Sequence, residues 1–173
     1  MHEPMVTVRA ENSDDIAAVR RVNELAFGSP NEAALVDALR NAADPYISLV
    51  AIKSGQVVGH IFFSPVSIES QDTVHRAMGL APMAVLPEHQ NRGVGSLLVQ
   101  EGLRECERIG CDLIVVVGHP EYYPRFGFVP AKQKGLSCEY PVPPEVFMVA
   151  ELKPGALTGK QGLVKYRPEF DLV

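Results

Sequence analysis

The sequence predicts an α/β (α+β) fold, with a mixed, largely antiparallel central sheet of about six to seven strands flanked by about four helices. Three observations predict it. Helical spacing in the first quarter of the chain gives way to period-two and continuous apolar runs. Ser54-Gly55 separates two strand patterns and reads as a hairpin turn, which makes those strands antiparallel. Residues 80–117 form a strand–helix–strand unit, the connection that a parallel pair requires.

The elements follow in order. VTVRA (6–10) alternates apolar and polar and reads as a strand. Ser13 before Asp14 and Asp15 reads as an N-cap with acids in the first turn, and Ile16, Val19, Val22, Leu25 and Ala26 continue at helical spacing. Gly28-Ser29-Pro30 breaks that helix; Asn31 and Glu32 start another carrying Leu35, Val36 and Leu39. Residues 47–53, 56–64 and 74–86 read as strands. HQNRGVGSLL opens a helix with Leu97, Leu98, Leu103, Cys106 and Ile109 on one side. CDLIVVV (111–117) is apolar and β-branched, the pattern of a buried strand. A turn or short helix leads to Phe126-Gly127-Phe128-Val129, and EVFMVAEL (145–152) reads as a further strand.

Composition excludes several function classes. At 173 residues, with 46% hydrophobic and 21% charged residues, the chain suits one globular domain, 1–173. A domain of this size buries roughly 70% of its unfolded surface, so it needs neither disulfide nor metal to fold. The net charge of −5 and the lack of a basic stripe argue against nucleic acid as a partner. No apolar run is long enough to span a membrane, and the N-terminal segment lacks the basic-then-apolar order of a signal peptide. The three cysteines match no zinc spacing and read as reduced thiols of a cytoplasmic protein, with no metal site.

The most informative stretch is Gln90-Asn91-Arg92-Gly93-Val94-Gly95-Ser96, between a strand and an amphipathic helix. Its glycines allow a sharp turn and close approach of a ligand to the main chain. The first N–H groups of the helix lack internal partners and carry partial positive charge, which suits a phosphate or pyrophosphate. A helix start that merely uses glycine is the plainer alternative. Gly95 is followed by Ser96-Leu97 rather than Lys-Ser/Thr, so a P-loop is excluded. Leu98 stands where a dinucleotide fingerprint needs a third glycine or alanine.

Strand–Q-x-x-G-x-G–helix, here MAVLPEHQNRGVGSLL (83–98), resembles the acetyl-CoA-binding motif of the GNAT superfamily of N-acetyltransferases. YYPRFGF (122–128) is similar to that superfamily's Tyr-x-x-x-Gly-Phe segment. With GHIFFSPV (59–66) upstream and FMVAEL (147–152) downstream, nearly the whole chain resembles a bacterial subgroup of predicted acetyltransferases. The resemblance implies the GNAT fold, its sheet splayed at the CoA site by a bulge near Pro82. It implies acetyl-CoA as co-substrate and an amine as acceptor, and it admits a homodimer. Main-chain groups of Met83, Ala84 and Val85 would pair with the pantetheine arm, and Gln90, Asn91, Arg92, Gly93, Val94, Gly95 and Ser96 would hold the pyrophosphate.

The implied reaction is direct attack of a neutral amine on the thioester. Tyr123, four residues before Gly127, matches the superfamily's general acid, with Tyr122 as competitor. The glutamate that many members use as base is missing: neither 79–85 nor 113–117 contains a carboxylate, and Gly118-His119-Pro120 replaces a frequent asparagine. His119 is the candidate base; His60, His75 and a water relay to a main-chain carbonyl are alternatives. Arg92, Arg104 and Arg108 are candidates for the CoA phosphates, although Arg104 and Arg108 read better as a solvated helix face. Phe27 to Asn31, Phe62 to Pro65 and the tail from Pro141 are candidate acceptor segments. A non-catalytic acyl-CoA-binding module is the alternative function.

Overall fold

The computed structural model describes residues 4–173. Its elements are β1 (Val6–Ala10), α1 (Ile16–Phe27), α2 (Asn31–Ala42), β2 (Ile47–Lys53), β3 (Gln56–Glu69), β4 (Val74–Val85), α3 (Val94–Arg108), β5 (Leu113–Val117), β6 (Val129–Pro130), β7 (Leu136–Cys138), β8 (Phe147–Glu151) and β9 (Gly162–Lys165). The fold is mixed α/β with mostly antiparallel strand pairing, as expected, although the strands outnumber the expectation and the described residues form three α-helices where about four are expected, the other helical segments being short 3-10 turns. The extra strands, β6, β7 and β9, have two to four residues each, too few for a periodic pattern to show. The described residues form two compact units. The first takes the chain up to Phe63 with Pro82–Gly102 and Glu169–Val173; the second takes Ser64–Ala81 and Leu103–Pro168.

In the first unit β1, β2 and the start of β3 pair antiparallel, with Val6 opposite Lys53 and Ile47 opposite Phe63. Ser54 and Gly55 join β2 to β3 at φ 51° and 75°, the two positive values that a tight right-twisted hairpin turn requires. The first helix is capped by Asn12 rather than by Ser13. Its side chain accepts from the Asp14 N–H at 3.0 Å, while Asp15 Oδ2 accepts from the Asn12 N–H at 2.8 Å. This reciprocal capping box starts a 3-10 turn, Ser13–Asp15, and α1 proper begins at Ile16. Arg9 grips the same Asp15 carboxylate and holds its pKa below the ordinary value.

Glycine sets how closely α3 lies on β3 within this unit. A Cβ at Gly59 would sit 3.0 Å from both Val94 Cγ1 and Leu98 Cδ1. A Cβ at Gly102 would sit 2.6 Å from Phe63 Cζ. The strand yields space to the first turns of the helix, and the helix yields space to the strand's phenylalanine. Val94, Leu98, Val99, Ile61 and Phe63 are all buried there.

In the second unit β4 runs parallel to β5, with Met78 opposite Ile114 and Leu80 opposite Val116. β8 pairs antiparallel with β5 and with β6, and β9 pairs with β3 and β7. Val66, Ile68, Leu113, Val115, Phe147, Val149 and Val164 form its apolar core. The strand expected from residue 111 begins at Leu113, because the preceding residues close α3. Gly110, at φ 87°, donates its N–H to Glu107 O, and the Cys111 N–H reaches Cys106 O at 2.9 Å. That pair of bonds is a Schellman cap. Likewise β8 starts at Phe147 because Pro144–Val146 form a 3-10 turn.

Candidate functional site

The glycine turn lies in the first unit, where it links the end of β4 to α3. Met83, Ala84 and Val85 close β4, with Ala84 buried and its neighbours partly exposed. The Leu86 N–H donates to Val58 O at 2.9 Å, and a 3-10 turn, Pro87–His89, follows. Gln90 folds back, and its side-chain Nε2 donates to Val85 O at 3.0 Å. The amide therefore clamps the base of the turn onto the strand. Asn91 at φ 61° and Gly93 at φ 86° are both left-handed, conformations that asparagine and glycine tolerate best. Gly93 O accepts the Leu97 N–H at 3.1 Å, so the helical ladder starts there. The N–H groups of Val94 and Gly95 lie in the first turn, ahead of that ladder. Arg92 is exposed beside them. This end of α3 is electropositive through its peptide dipoles, and it has the form of an anion cradle.

The tyrosine segment lies in the second unit. β5 ends at Val117; the Gly118 N–H donates to Val146 O at 2.9 Å, and His119 follows with its side chain exposed. His119 O accepts from the N–H groups of both Tyr122 and Tyr123, at 3.1 and 3.3 Å. That closure starts a 3-10 turn, Tyr123–Phe126, and Gly127 ends it at φ 95°. Tyr123 is only 7% exposed, and its ring meets Tyr122 and Phe128 edge-on at centroid distances of 5.1 and 5.6 Å. Burial, aided by Tyr122, pushes its phenol up to about 12. It is fully protonated at neutral pH and equipped to donate a hydrogen bond. Tyr122 is less buried and carries the Arg125 guanidinium 4.8 Å from its ring centroid.

The other candidates fall into place by burial. His60 is completely buried in the first unit between Asn23 and Ser48. Burial, with Arg40 nearby, lowers its pKa to about 3, so the ring is neutral and structural. His75 lies at the start of β4 and is partly exposed. Arg108 pairs with Glu105 on the exposed side of α3, while Arg104 is exposed. Of the acceptor segments, Phe27 is 43% exposed, whereas Phe62, Phe63 and Ser64 are buried, Phe62 beneath the stacked ring of Tyr46. Among the described residues no cluster of His, Cys, Asp or Glu could hold a metal ion, and no helix is long and apolar enough to cross a membrane.

One contact beside the tyrosine has no signature in the sequence. The ring of Tyr123 lies against the main chain of Gly118: a Cβ there would be 2.9 Å from Cδ2, 3.3 Å from Cζ and nearer still to Cε2. Glycine at 118 stands out in the sequence only as a missing asparagine; that it houses the Tyr123 ring depends on how the intervening turn folds.

Comparison with known proteins places this geometry. The family model of the acetyltransferase (GNAT) domain matches residues 7–131. The uncharacterized N-acetyltransferase YjhQ of Escherichia coli K12 is 38% identical over 161 residues, covering 88% of this chain and 89% of its own. The crystal structure of Escherichia coli YhbS, a GNAT family N-acetyltransferase in complex with CoA, superposes with a TM-score of 0.90 at 33% identity, covering 99% of this chain and 94% of that one. A GNAT family acetyltransferase from Brucella melitensis in complex with acetyl-CoA gives a TM-score of 0.77 at 36% identity, covering 96% and 99%. With the glycine turn at the start of α3 and the tyrosine turn after β5 both in place, the chain belongs to the GNAT family of N-acetyltransferases.

Proposed function

We propose that the protein transfers the acetyl group of acetyl-CoA to a primary amine by direct attack. The observation that carries this reading is the turn Gln90–Ser96, clamped by Gln90 and delivered to the N-terminus of α3 through two left-handed residues. Solved relatives of this fold hold CoA or acetyl-CoA. The first-turn N–H groups and Arg92 take the pyrophosphate. Main-chain groups of Met83, Ala84 and Val85 pair with the pantetheine amides, and one N–H there polarises the thioester carbonyl.

The amine nitrogen bonds to the acetyl carbon, the C–S bond breaks, and the nitrogen sheds a proton. His119, exposed and three residues from the tyrosine pair, takes that proton. The hydroxyl of Tyr123 meets the departing sulfur. Ordinary thiols titrate near about 8.5, well below this phenol, so complete transfer from tyrosine to thiolate would run uphill. Tyr123 therefore stabilises the developing thiolate by a donated hydrogen bond, and solvent supplies the final proton. Cys106, Cys111 and Cys138 are free thiols, which fits a protein of the reducing cytoplasm.

Calorimetric titration with CoA, followed by thiol release from acetyl-CoA over a panel of amines, tests the reading. CoA binding and amine-dependent release are expected, and Tyr123→Phe should lower kcat by about 10²–10³. Binding without turnover on any amine would make the chain an acyl-CoA-binding module. Absence of CoA binding would defeat the reading outright.

A further inference from the structure

We infer that Gly118 is a positioning residue for Tyr123: the bare main chain at the end of β5 is the surface on which the phenol ring rests, and it sets where the hydroxyl points. This rests on the reading of Tyr123 as the group that meets the departing sulfur.

The ring is boxed in. Tyr122 and Phe128 meet it edge-on, Phe126 lies tilted with its centroid 6.5 Å away, and Gly118 lies beneath Cδ2 and Cε2, closer than a Cβ could approach. The turn is short and doubly closed, with His119 O holding the N–H groups of Tyr122 and Tyr123. Gly118 N–H is tied in turn to Val146 O. These bonds fix the two main-chain segments that carry the ring and its support. The need for glycine here is not dihedral. Gly118 is not among the glycines with positive φ, so alanine is admissible to the backbone and is excluded only by the ring. An added methyl group displaces the ring by the order of an ångström and carries the hydroxyl with it. Displacement of that size in a reacting group costs about 10² in rate.

The test is a double-mutant cycle on kcat with a verified amine acceptor: wild type, Gly118→Ala, Tyr123→Phe and the double variant, with CoA affinity measured for each. The expected result is a loss of about 10² in kcat for Gly118→Ala with KM for acetyl-CoA and CoA affinity little changed. In the Tyr123→Phe background the same alanine should cost almost nothing, because the hydroxyl it displaces is gone. Normal turnover in Gly118→Ala overturns the inference, as does a loss repeated in full without the hydroxyl. Normal turnover in Tyr123→Phe overturns the reading beneath it instead. If Gly118→Ala does not fold, its clash is examined with Tyr123→Ala, which removes the ring. A Gly118→Ala/Tyr123→Ala protein with the melting temperature of Tyr123→Ala alone supports the contact. One that unfolds while Tyr123→Ala stays folded overturns it.

Discussion

His60 Nε2 lies 2.8 Å from Ser48 Oγ in the interior of the first unit, and both residues are buried. On its other side His60 Nδ1 is 3.1 Å from Asn23 Nδ2, whose second hydrogen goes to Val19 O at 3.0 Å. The amide thus donates to Nδ1, and the ring carries its hydrogen on Nε2 and donates to Ser48. One neutral imidazole joins α1, β2 and β3, and every ring nitrogen has a partner.

This arrangement makes stability depend on pH in a defined window. His60 titrates at about 3 when folded and near about 6.5 when unfolded, so the unfolded chain binds more protons between those values. The stabilisation is complete above about pH 6.5 and falls as the pH drops toward 3, by up to about 1.4 kcal/mol per unit. Urea unfolding at several pH values should show a steeper acid decline for wild type than for His60→Gln. The variant itself should lose about 1–3 kcal/mol at pH 7.5. Parallel declines would show that His60 is not the proton site.

Gly95→Asp separates binding from folding. A carboxylate in the first turn of a helix is favourable to the dipole, so the variant should melt no lower than wild type by more than a degree or so. The same charge repels a pyrophosphate by about 4 kcal/mol at contact distance near a protein surface. CoA affinity measured by calorimetry should fall on the order of 10²–10³-fold, and less at high salt. Undiminished affinity in the folded variant would remove the turn from the cofactor site.

His119→Ala addresses the base. Its side chain is exposed, so the fold should be unaffected. The maximal rate should fall by about 10²–10⁴. An undiminished rate assigns the proton to another acceptor, such as a water relay to a main-chain carbonyl.

Gly102→Ala inverts a general expectation. Alanine in place of a helical glycine normally stabilises by about 1 kcal/mol. Here its methyl group would press into the fully buried ring of Phe63, and a net loss of about 1–3 kcal/mol is expected. In a Phe63→Leu background the penalty should largely disappear. A Gly102→Ala protein more stable than wild type would show that the helix–strand contact is loose.

Much of this architecture is written in local pattern. The hairpin at Ser54-Gly55, the break at Gly28 and the apolar core of β5 all follow from residues adjacent in the chain. So does the glycine turn before α3, because Gln90, Asn91 and Gly93 act on the backbone within a few positions of themselves. Other features were illegible for a physical reason. The cap at Asn12 competes with Ser13 for the same helix start, and only the reach of Asp15 back to the Asn12 N–H decides between them. β7 and β9 consist of three and four residues, and their pairing with each other is non-local.

Spacing along the chain carries the family, the order of the main elements and the left-handed glycine turn before α3. Tertiary structure decided what the remaining residues are for. His60 and His119 are equivalent as letters, yet one is sealed between Asn23 and Ser48 and the other stands in solvent. Gly118 appears as a missing asparagine until the turn brings Tyr123 back over it. Burial and contact across the fold assign such roles, because desolvation and steric exclusion act between atoms that are neighbours in space and not in sequence.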